Sequence, residues 1–504
     1  MEKARKVWII LSALLVLVTA VAILYFVPPE SFWVALGLAI AMVGYYVLVL
    51  VIRGQSVREK TPKPWHSIFS LFSYFLILSI IFGVLFFYVV SSAMELVLMV
   101  AIVFVLVMNL ITVPLAIIHK FKEGRTLNTD LKEYPSISVI VPAFNEEKVI
   151  ARTLENLIEA HYPNKEIIVV DDGSSDSTYE VASRYVNRGV KVIHRENGGK
   201  FAALNVGLCY AQGEIVITVD ADTLVARTAL LEIVKSFTDP DIGGVAGNLK
   251  VFNRHKFLTK LQSLEYLTQL EIVRRAFDNF GTVTVAPGAF SAFRKVAVAE
   301  AGNYDPDRLL EDFDLTIKLQ KAHRFLCGDS DALAYTEAPE TFRDVYKQRL
   351  GWYRGDFQNF WKHRDVFINS KFGFMHSLTL PYMLISMTLV PLAGIVVIAS
   401  SIMMLLAGDW QTVLFAFILF AFLQLAVSIL AILIGKDDLK LCIYAPFYIV
   451  GYKQILDFIM IKALIDIILS GGQYLKRERV QRYGFDETEK HPAHESHEME
   501  PSRK

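Results

Sequence analysis

Six stretches of this chain are free of charge and long enough to cross a membrane, and they restrict the fold more than any other feature. A helix needs about 20 apolar residues to span the hydrocarbon core. Residues 7–27, 31–52, 67–90 and 96–118 reach that length, as do 377–408 and 412–434. They account for a chain in which 54% of the 504 residues are hydrophobic. The first run is long for the apolar part of a cleaved leader, and no clear small-residue cleavage site precedes the second.

Basic residues orient these spans, because loops rich in Lys and Arg stay in the cytoplasm. Lys3, Arg5 and Lys6 precede the first run; Arg53, Arg58, Lys60 and Lys63 separate the second from the third; Lys120, Lys122 and Arg125 follow the fourth. The N-terminus and residues 119–376 are therefore expected inside. The region 441–470 is apolar but contains Lys453, Asp457, Lys462 and Asp466, two pairs at four-residue spacing. It reads either as a functional intramembrane element or as an interfacial or re-entrant helix. Keeping the basic string "LKRERVQR" inside favours a cytoplasmic tail. Beyond about 485 the chain is polar and expected to be disordered, with "HPAHESHE" read as a solvated string.

Charge and cysteine content exclude some classes. Fifty-one basic residues balance 51 acidic ones, so bulk charge gives no sign of a nucleic-acid partner. Cys209, Cys327 and Cys442 are too scattered for a disulfide framework or a zinc site.

From about 134 to 345 the pattern changes to alternating strands and helices. "SISVIVPAF" (136–144), "EIIVVDDGSSDST" (166–178), "KVIHRENGGK" (191–200) and "EIVITVDADT" (214–223) read as strands that end in polar residues. "EKVIARTLENLIEA" (147–160) reads as a helix between the first two. The alternation predicts an α/β domain with a mostly parallel, Rossmann-like sheet. Ligands of such sheets bind beyond the carboxyl ends of the strands. Asn145, Glu146, Asp171, Asp172, Asp220 and Asp222 fall at those ends. Carboxylates gathered at one edge repel one another unless a cation joins them, which points to Mg2+ or Mn2+ held by oxygen ligands. Each string also has a bland reading: "DDGS" is a good turn and helix cap, and "DAD" a capped loop. "GGK" lacks the spacing and hydroxyl residue of a P-loop, which disfavours triphosphate hydrolysis. Farther on, Glu311, Asp312 and Asp314 lie among apolar residues. They read as first-turn acids of a helix, or as a carboxylate held near the site to act as a general base.

"VPAFNEE", "VVDDGSSDST", "NGGKFAALNVGL", "VDADT", "LLEDFDL" and "QRLGW" occur in one order along residues 135–360. In that set the chain resembles the membrane-embedded family 2 glycosyltransferases. Within them it is most similar to bacterial poly-β-1,6-N-acetylglucosamine synthases, with hyaluronan, chitin and cellulose synthases more distant. The resemblance implies a transmembrane helical bundle joined to a cytoplasmic GT-A domain. The implied organisation is four membrane helices over 1–119, the GT-A domain over 120–341, an amphipathic interface segment over 342–375, further membrane helices over 376–472 and a polar tail over 473–504.

The resemblance also assigns roles. Ala143 and Glu146 would border the nucleotide, Asp172 with Asp171 would read the uracil, and Lys200 would contact the diphosphate. Asp220 and Asp222 would form the DxD element, both as metal ligands and with Asp220 also touching the donor. Asp312 would be the catalytic base, and Glu311, Gln348 and Trp352 would lie on the acceptor side. One departure stands out: the arginine that precedes the motif tryptophan in the family is Gly351 here. If 342–361 is one helix, Arg349 lies about 60° from Trp352 and Arg354 about 160° at roughly 100° per residue, so Arg349 is the better substitute on the donor. Phe342, Val345, Tyr346, Leu350, Tyr353, Phe357 and Phe360 form an apolar stripe, expected to rest on the membrane, with Gln348 and Trp352 on its flank.

The implied activity is inverting, metal-dependent transfer from a UDP-sugar, UDP-N-acetylglucosamine favoured, to a growing β-linked polysaccharide. It would take place on the inner face of a cell membrane, with export through the bundle and room for accessory export subunits. Two alternatives stand beside it: single transfer to a polyprenyl-phosphate or other lipid acceptor, and a transporter or scaffold with an inert domain.

Overall fold

The computed structural model describes residues 108–109, 111–123, 133–306 and 309–472. The spans expected at 7–27, 31–52 and 67–90, most of 96–118, and the polar tail from 473 lie outside the described residues. The described chain divides into two units. One takes in Glu123–Tyr266 and Gly281–Asn359; the other takes in the described residues up to Lys122, Leu267–Phe280 and the described residues from Phe360 onward.

The first unit is built on an eight-stranded sheet. Its strands are β1 (Ile137–Ala143), β2 (Lys165–Asp171), β3 (Val190–His194), β4 (Ile215–Val219), β5 (Leu224–Val225), β6 (Ile242–Val251), β7 (Phe290–Arg294) and β8 (Phe325–Thr336), in the order β3-β2-β1-β4-β7-β6-β8-β5. All seven residues of β1 and all five of β4 are buried. Such unbroken burial, in runs apolar but for Ser138 and Thr218, is what a strand covered on both faces requires. Helix α1 (Ile150–Glu159) follows β1, and helix α2 (Lys200–Tyr210) follows β3. Gly207 lets α2 lie directly on β1, since a Cβ there would stand 2.4 Å from Ile140 Cγ2.

The expectation of a mostly parallel sheet holds for only half of it. Strands β3, β2, β1 and β4 are mutually parallel, but β7 runs antiparallel to both β4 and β6, β6 pairs parallel with β8, and β5 pairs antiparallel with β8. The sheet is mixed. The strand–helix alternation that signals parallel pairing stops after β4. Beyond it, β6 and β7 are separated by helix α3 (Phe257–Thr268) and further helical turns that are not a simple crossover.

This topology brings several loops to one edge. In the parallel half, Ala143 is level with Asp171, and Asp171 with His194, so the carboxyl ends of β1, β2 and β3 coincide. Because β7 is antiparallel, with Phe290 opposite Val219, its entry loop reaches the same edge as the exit of β4. Two further helices complete the unit's part in the site: α4 (Glu311–Lys321) and α5 (Phe342–Lys362).

The second unit is helical and apolar. Among the described residues, Met375–Leu406 is long and apolar enough to cross a membrane by length and composition: 32 residues, mean hydropathy 2.5, with 11% of its most apolar window buried. Its α-helical part is α6 (Leu380–Leu406), and α7 (Trp410–Gly435) follows. The ambiguous region 441–470 is not one continuous span. Its backbone leaves helical geometry at Val450 and Gly451, and α8 (Lys453–Leu469) has 17 residues, at the lower limit of about 17–25 for a span. Lys453 pairs with Asp457 and Lys462 with Asp466. The Asp457 carboxylate is buried against Gly394 of α6, where a Cβ would lie 2.8 Å from Asp457 Oδ2.

The contact of α2 with β1 can be tested by overpacking. Gly207→Val should destabilise the protein by about 1–3 kcal/mol. A lowered thermal transition of the detergent-solubilised protein, reported by tryptophan fluorescence, would register it; an unchanged transition would contradict the packing.

Candidate active site

The first two motif loops are stitched together by short polar side chains. Asn145 has the left-handed backbone (φ 55) that asparagine tolerates better than most residues. Its amide donates to Ser174 Oγ at 2.8 Å, and its Oδ1 accepts from the Ser175 amide at 2.6 Å. The Glu146 amide donates to Thr178 Oγ1 at 2.7 Å, and the Asp172 amide to the carbonyl of buried Ala143 at 2.8 Å. "PAFNEE" and "DDGSSDST" thus form one rim.

Asp171 and Asp172 hold that rim rigid. Asp171 is fully buried and accepts from Ser174 Oγ and from His194 at 2.6 Å. Asp172 is 3% exposed; its carboxylate accepts from Arg195, from the Gly198 amide at 3.1 Å and from the Gly199 amide at 2.7 Å. The loop before α2 therefore closes over Asp172. Gly173 permits the closure: its φ is +72°, and a Cβ there would stand 2.7 Å from the Asn197 nitrogen.

Lys200 is the first residue of α2, and that loop delivers it to the acids. Its Nζ lies 2.6 Å from Asp220 Oδ1 and 3.2 Å from Glu311 Oε1. Burial by itself lowers an ammonium pKa, but Asp220, Glu311 and Asp312 together outweigh burial and hold Lys200 above its ordinary value. Asp220 lies in the turn after β4, its amide donating to Ala289 O at 3.2 Å in the entry loop of β7. Asp222, two residues on, is 3% exposed.

Asp312 sits in the first turn of α4. Its Oδ2 accepts from the Gly288 amide at 2.8 Å and its Oδ1 from the Phe313 amide at 2.8 Å. Burial, then the charge of Glu311, push its carboxyl up to about 6, against the opposing pull of Lys200 and the two amides. Gly288 keeps the space between Asp312 and Lys200 open: a Cβ there would be 3.0 Å from Lys200 Nζ and 3.3 Å from Asp312 Oδ2.

Helix α5 carries the last motif. The reading that places Arg349 beside Trp352 agrees with the structure, where the guanidinium lies 4.2 Å from the Trp352 ring centroid. It is fully buried, donates to both carboxylate oxygens of Glu265 on α3 at 3.2 and 2.8 Å, and donates to Gln348 Oε1 at 2.5 Å. As placed, Arg349 braces Gln348 and Trp352. Of the apolar stripe, Val345, Leu350, Tyr353, Phe357 and Phe360 are buried within the protein, leaving Phe342 and Tyr346 exposed.

The structure therefore brings Lys200, Asp220, Glu311 and Asp312 together, and sets Asp171 and Asp172 beneath the neighbouring loops. Four participants were not singled out from sequence. His194 and Arg195 could be suspected from their place at a strand end; Gly288 and Glu265 belong to strings with no motif of their own.

Among the described residues, no three His, Cys, Asp or Glu side chains are grouped so as to hold a metal ion. The donor set nonetheless fits a hard divalent cation. Such ions are often held by one or two carboxylates plus substrate phosphate oxygens, and Asp220 and Asp222 supply two carboxylates.

Residues 138–302 match the glycosyl transferase family 2 model. The chain carries a family 2 glycosyltransferase domain. It is 32% identical over 239 residues to the poly-β-1,6-N-acetyl-D-glucosamine synthase of Staphylococcus aureus strain COL, a stretch that is 47% of this chain and 58% of that protein. The synthase of the same name from Staphylococcus epidermidis strain ATCC 35984 is 31% identical over 238 residues, again 47% and 58%. This chain thus spans a little under two thirds of the length of the curated relatives it matches. A mannosyltransferase from Pyrobaculum calidifontis, solved in complex with GDP-Man and Mn2+, superposes with a TM-score of 0.51 at 21% identity, over 74% of this chain and 99% of that one. The glycosyltransferase domain has the GT-A fold, with a mixed sheet.

Removing one partner of the Arg349–Glu265 pair leaves a poorly solvated charge, since the Glu265 side chain is 12% exposed. Arg349→Ala should cost about 3–5 kcal/mol, and adding Glu265→Gln should recover part of it. Chemical denaturation followed by tryptophan fluorescence measures both; additive losses would show that the pair is not coupled.

Proposed function

We propose that the chain is an inverting glycosyltransferase that extends a β-linked polysaccharide from a UDP-sugar, UDP-N-acetylglucosamine favoured, at the cytoplasmic face of a membrane. The observation that carries this reading is the meeting of Lys200, Asp220, Glu311 and Asp312 at the carboxyl edge of the parallel strands. The synthases it resembles favour the polymer and the sugar. The apolar helices favour a multi-pass membrane location, with the polymer leaving through the bundle.

The chemistry follows from the charges. The Ala143–Glu146 and Asp171–Asp172 loops form the rim on which the nucleotide rests. Lys200 turns from its carboxylates toward the diphosphate, whose charge grows as the bond to the sugar breaks. Asp220 and Asp222 would hold Mg2+ or Mn2+, which would supply further positive charge to the leaving group. Trp352, Gln348 and Glu311 seat the acceptor. Asp312 takes the proton from the acceptor hydroxyl; the oxygen bonds to the anomeric carbon from the face opposite the diphosphate, and the bonding pair departs with UDP. An α-linked donor gives a β-linked product. Arg349 serves this step through Gln348 and Trp352 rather than on the diphosphate itself.

Gly351 favours keeping a second reading: without the usual arginine, the domain transfers one sugar to a lipid-linked acceptor and stops. Product length from membranes given labelled UDP-sugars separates the two.

Asp312→Asn should reduce transfer by about 10²–10⁴-fold while UDP binding persists; full turnover would remove Asp312 from the role of base. The base works only when ionised. With its carboxyl raised to about 6, activity should fall roughly tenfold per pH unit below that value and level off above it. A pH profile of initial rates that is flat down to pH 5 would contradict the assignment.

A further inference from the structure

Asp356 is a carboxylate that the chemistry above does not use, yet it faces the same site. It lies on α5 four residues after Trp352 and eight after Gln348. At 3.6 residues per turn, positions four apart fall on one face of a helix, so the three side chains form a row.

The same helix is pinned against the segment that carries the base. Gly355 has no side chain, and a Cβ there would stand 2.5 Å from Leu310 Cγ. Asn359 Nδ2 donates to the Leu310 carbonyl at 3.0 Å. Leu310 immediately precedes Glu311 and Asp312, so the two contacts that flank Asp356 on α5 hold it next to the start of α4. It is near enough for the charge of Asp312 to act on it: burial first, then Asp312, hold the Asp356 carboxyl well above the usual carboxylate range.

The other acids here have partners. Asp220 and Glu311 have Lys200, and Asp312 has two backbone amides. Asp356 is half-buried and makes no hydrogen bond or ion pair among the described residues. A half-buried polar group without a partner is costly unless something arrives to bond it. Beside a tryptophan and a glutamine, the fitting chemistry is a sugar: an apolar ring face for Trp352, and a hydroxyl or amide carbonyl for the acid.

We propose that Asp356 is an acceptor-positioning residue, whose carboxyl hydrogen-bonds the sugar lying on Trp352 and thereby selects which hydroxyl meets Asp312. This rests on the sugar-transfer reading above and deepens it. Gln348, Trp352 and Asp356 would grip one ring at successive turns of a helix. A single rotation of that ring would replace the attacking hydroxyl with its neighbour.

The test uses the full chain in membranes, with UDP-N-acetylglucosamine as donor and a short β-1,6-linked N-acetylglucosamine oligomer as acceptor. Asp356→Ala should raise the acceptor KM about tenfold, on the order of one lost hydrogen bond, with the donor KM within twofold and kcat at saturating acceptor within threefold. Asp356→Asn, which puts an N–H donor where the carboxyl O–H stood and keeps a carbonyl acceptor, should restore most of the affinity. If the alanine protein does not fold, Asp356→Ser gives the same readout with a polar group retained. An acceptor KM unchanged in these variants, or a donor KM that rises with it, overturns the proposal. Failure of the wild type to release UDP from any UDP-sugar would overturn the transfer reading and this inference together. An active wild type, silenced by Asp312→Asn but indifferent to Asp356, would overturn this inference alone.

Discussion

The contact between the Lys200 ammonium and the carboxylates of Asp220 and Glu311 is the interaction around which this domain is arranged. The acids come from two places far apart in sequence, the turn after β4 and the first turn of α4. Placed together without a cation, they and Asp312 would repel one another in a poorly solvated site. Lys200 offsets that repulsion, and it can do so only because a glycine loop, tied down by Asp172, delivers the start of α2 to the same edge. Asp172 and Lys200 therefore depend on one another.

The arrangement also shows why the antiparallel half of the sheet matters. A wholly parallel sheet would bring only strand exits to the active edge. Because β7 is reversed, its entry loop arrives beside the exit of β4, and Gly288 is placed where its amide holds Asp312 and its missing side chain leaves room for Lys200. The Asp312 carboxylate is thus oriented by a backbone donor from the entry loop of a strand that an alternating α/β pattern does not foresee. The motif on α5 follows a similar logic: buried Arg349 holds Gln348 and Trp352, and its partner Glu265 comes from a helix without a motif.

The apolar runs and the polar site of the chain rest on different physics. Long charge-free runs are set by the thickness of the bilayer and can be read one segment at a time. The charged pairs in 441–470 resist that reading. In the structure they belong to a short helix after a backbone break, with Asp457 buried against Gly394 of α6.

Much of this is legible in the sequence. The parallel strands β1 to β4, the polar residues at their ends, and the proximity of Arg349 to Trp352 all follow from local rules: strand length, side-chain alternation and helical angle. These are properties of adjacent residues, and sequence records adjacency directly. What only the tertiary structure decided are the meetings across long separations: His194 with Asp171, Gly288 with Asp312, Glu265 with Arg349, and Leu310 with the face of α5 that carries Asp356. Those depend on strand direction and on how closely two helices approach. Both are set by packing over the whole domain, and neither leaves a pattern in any short stretch of residues.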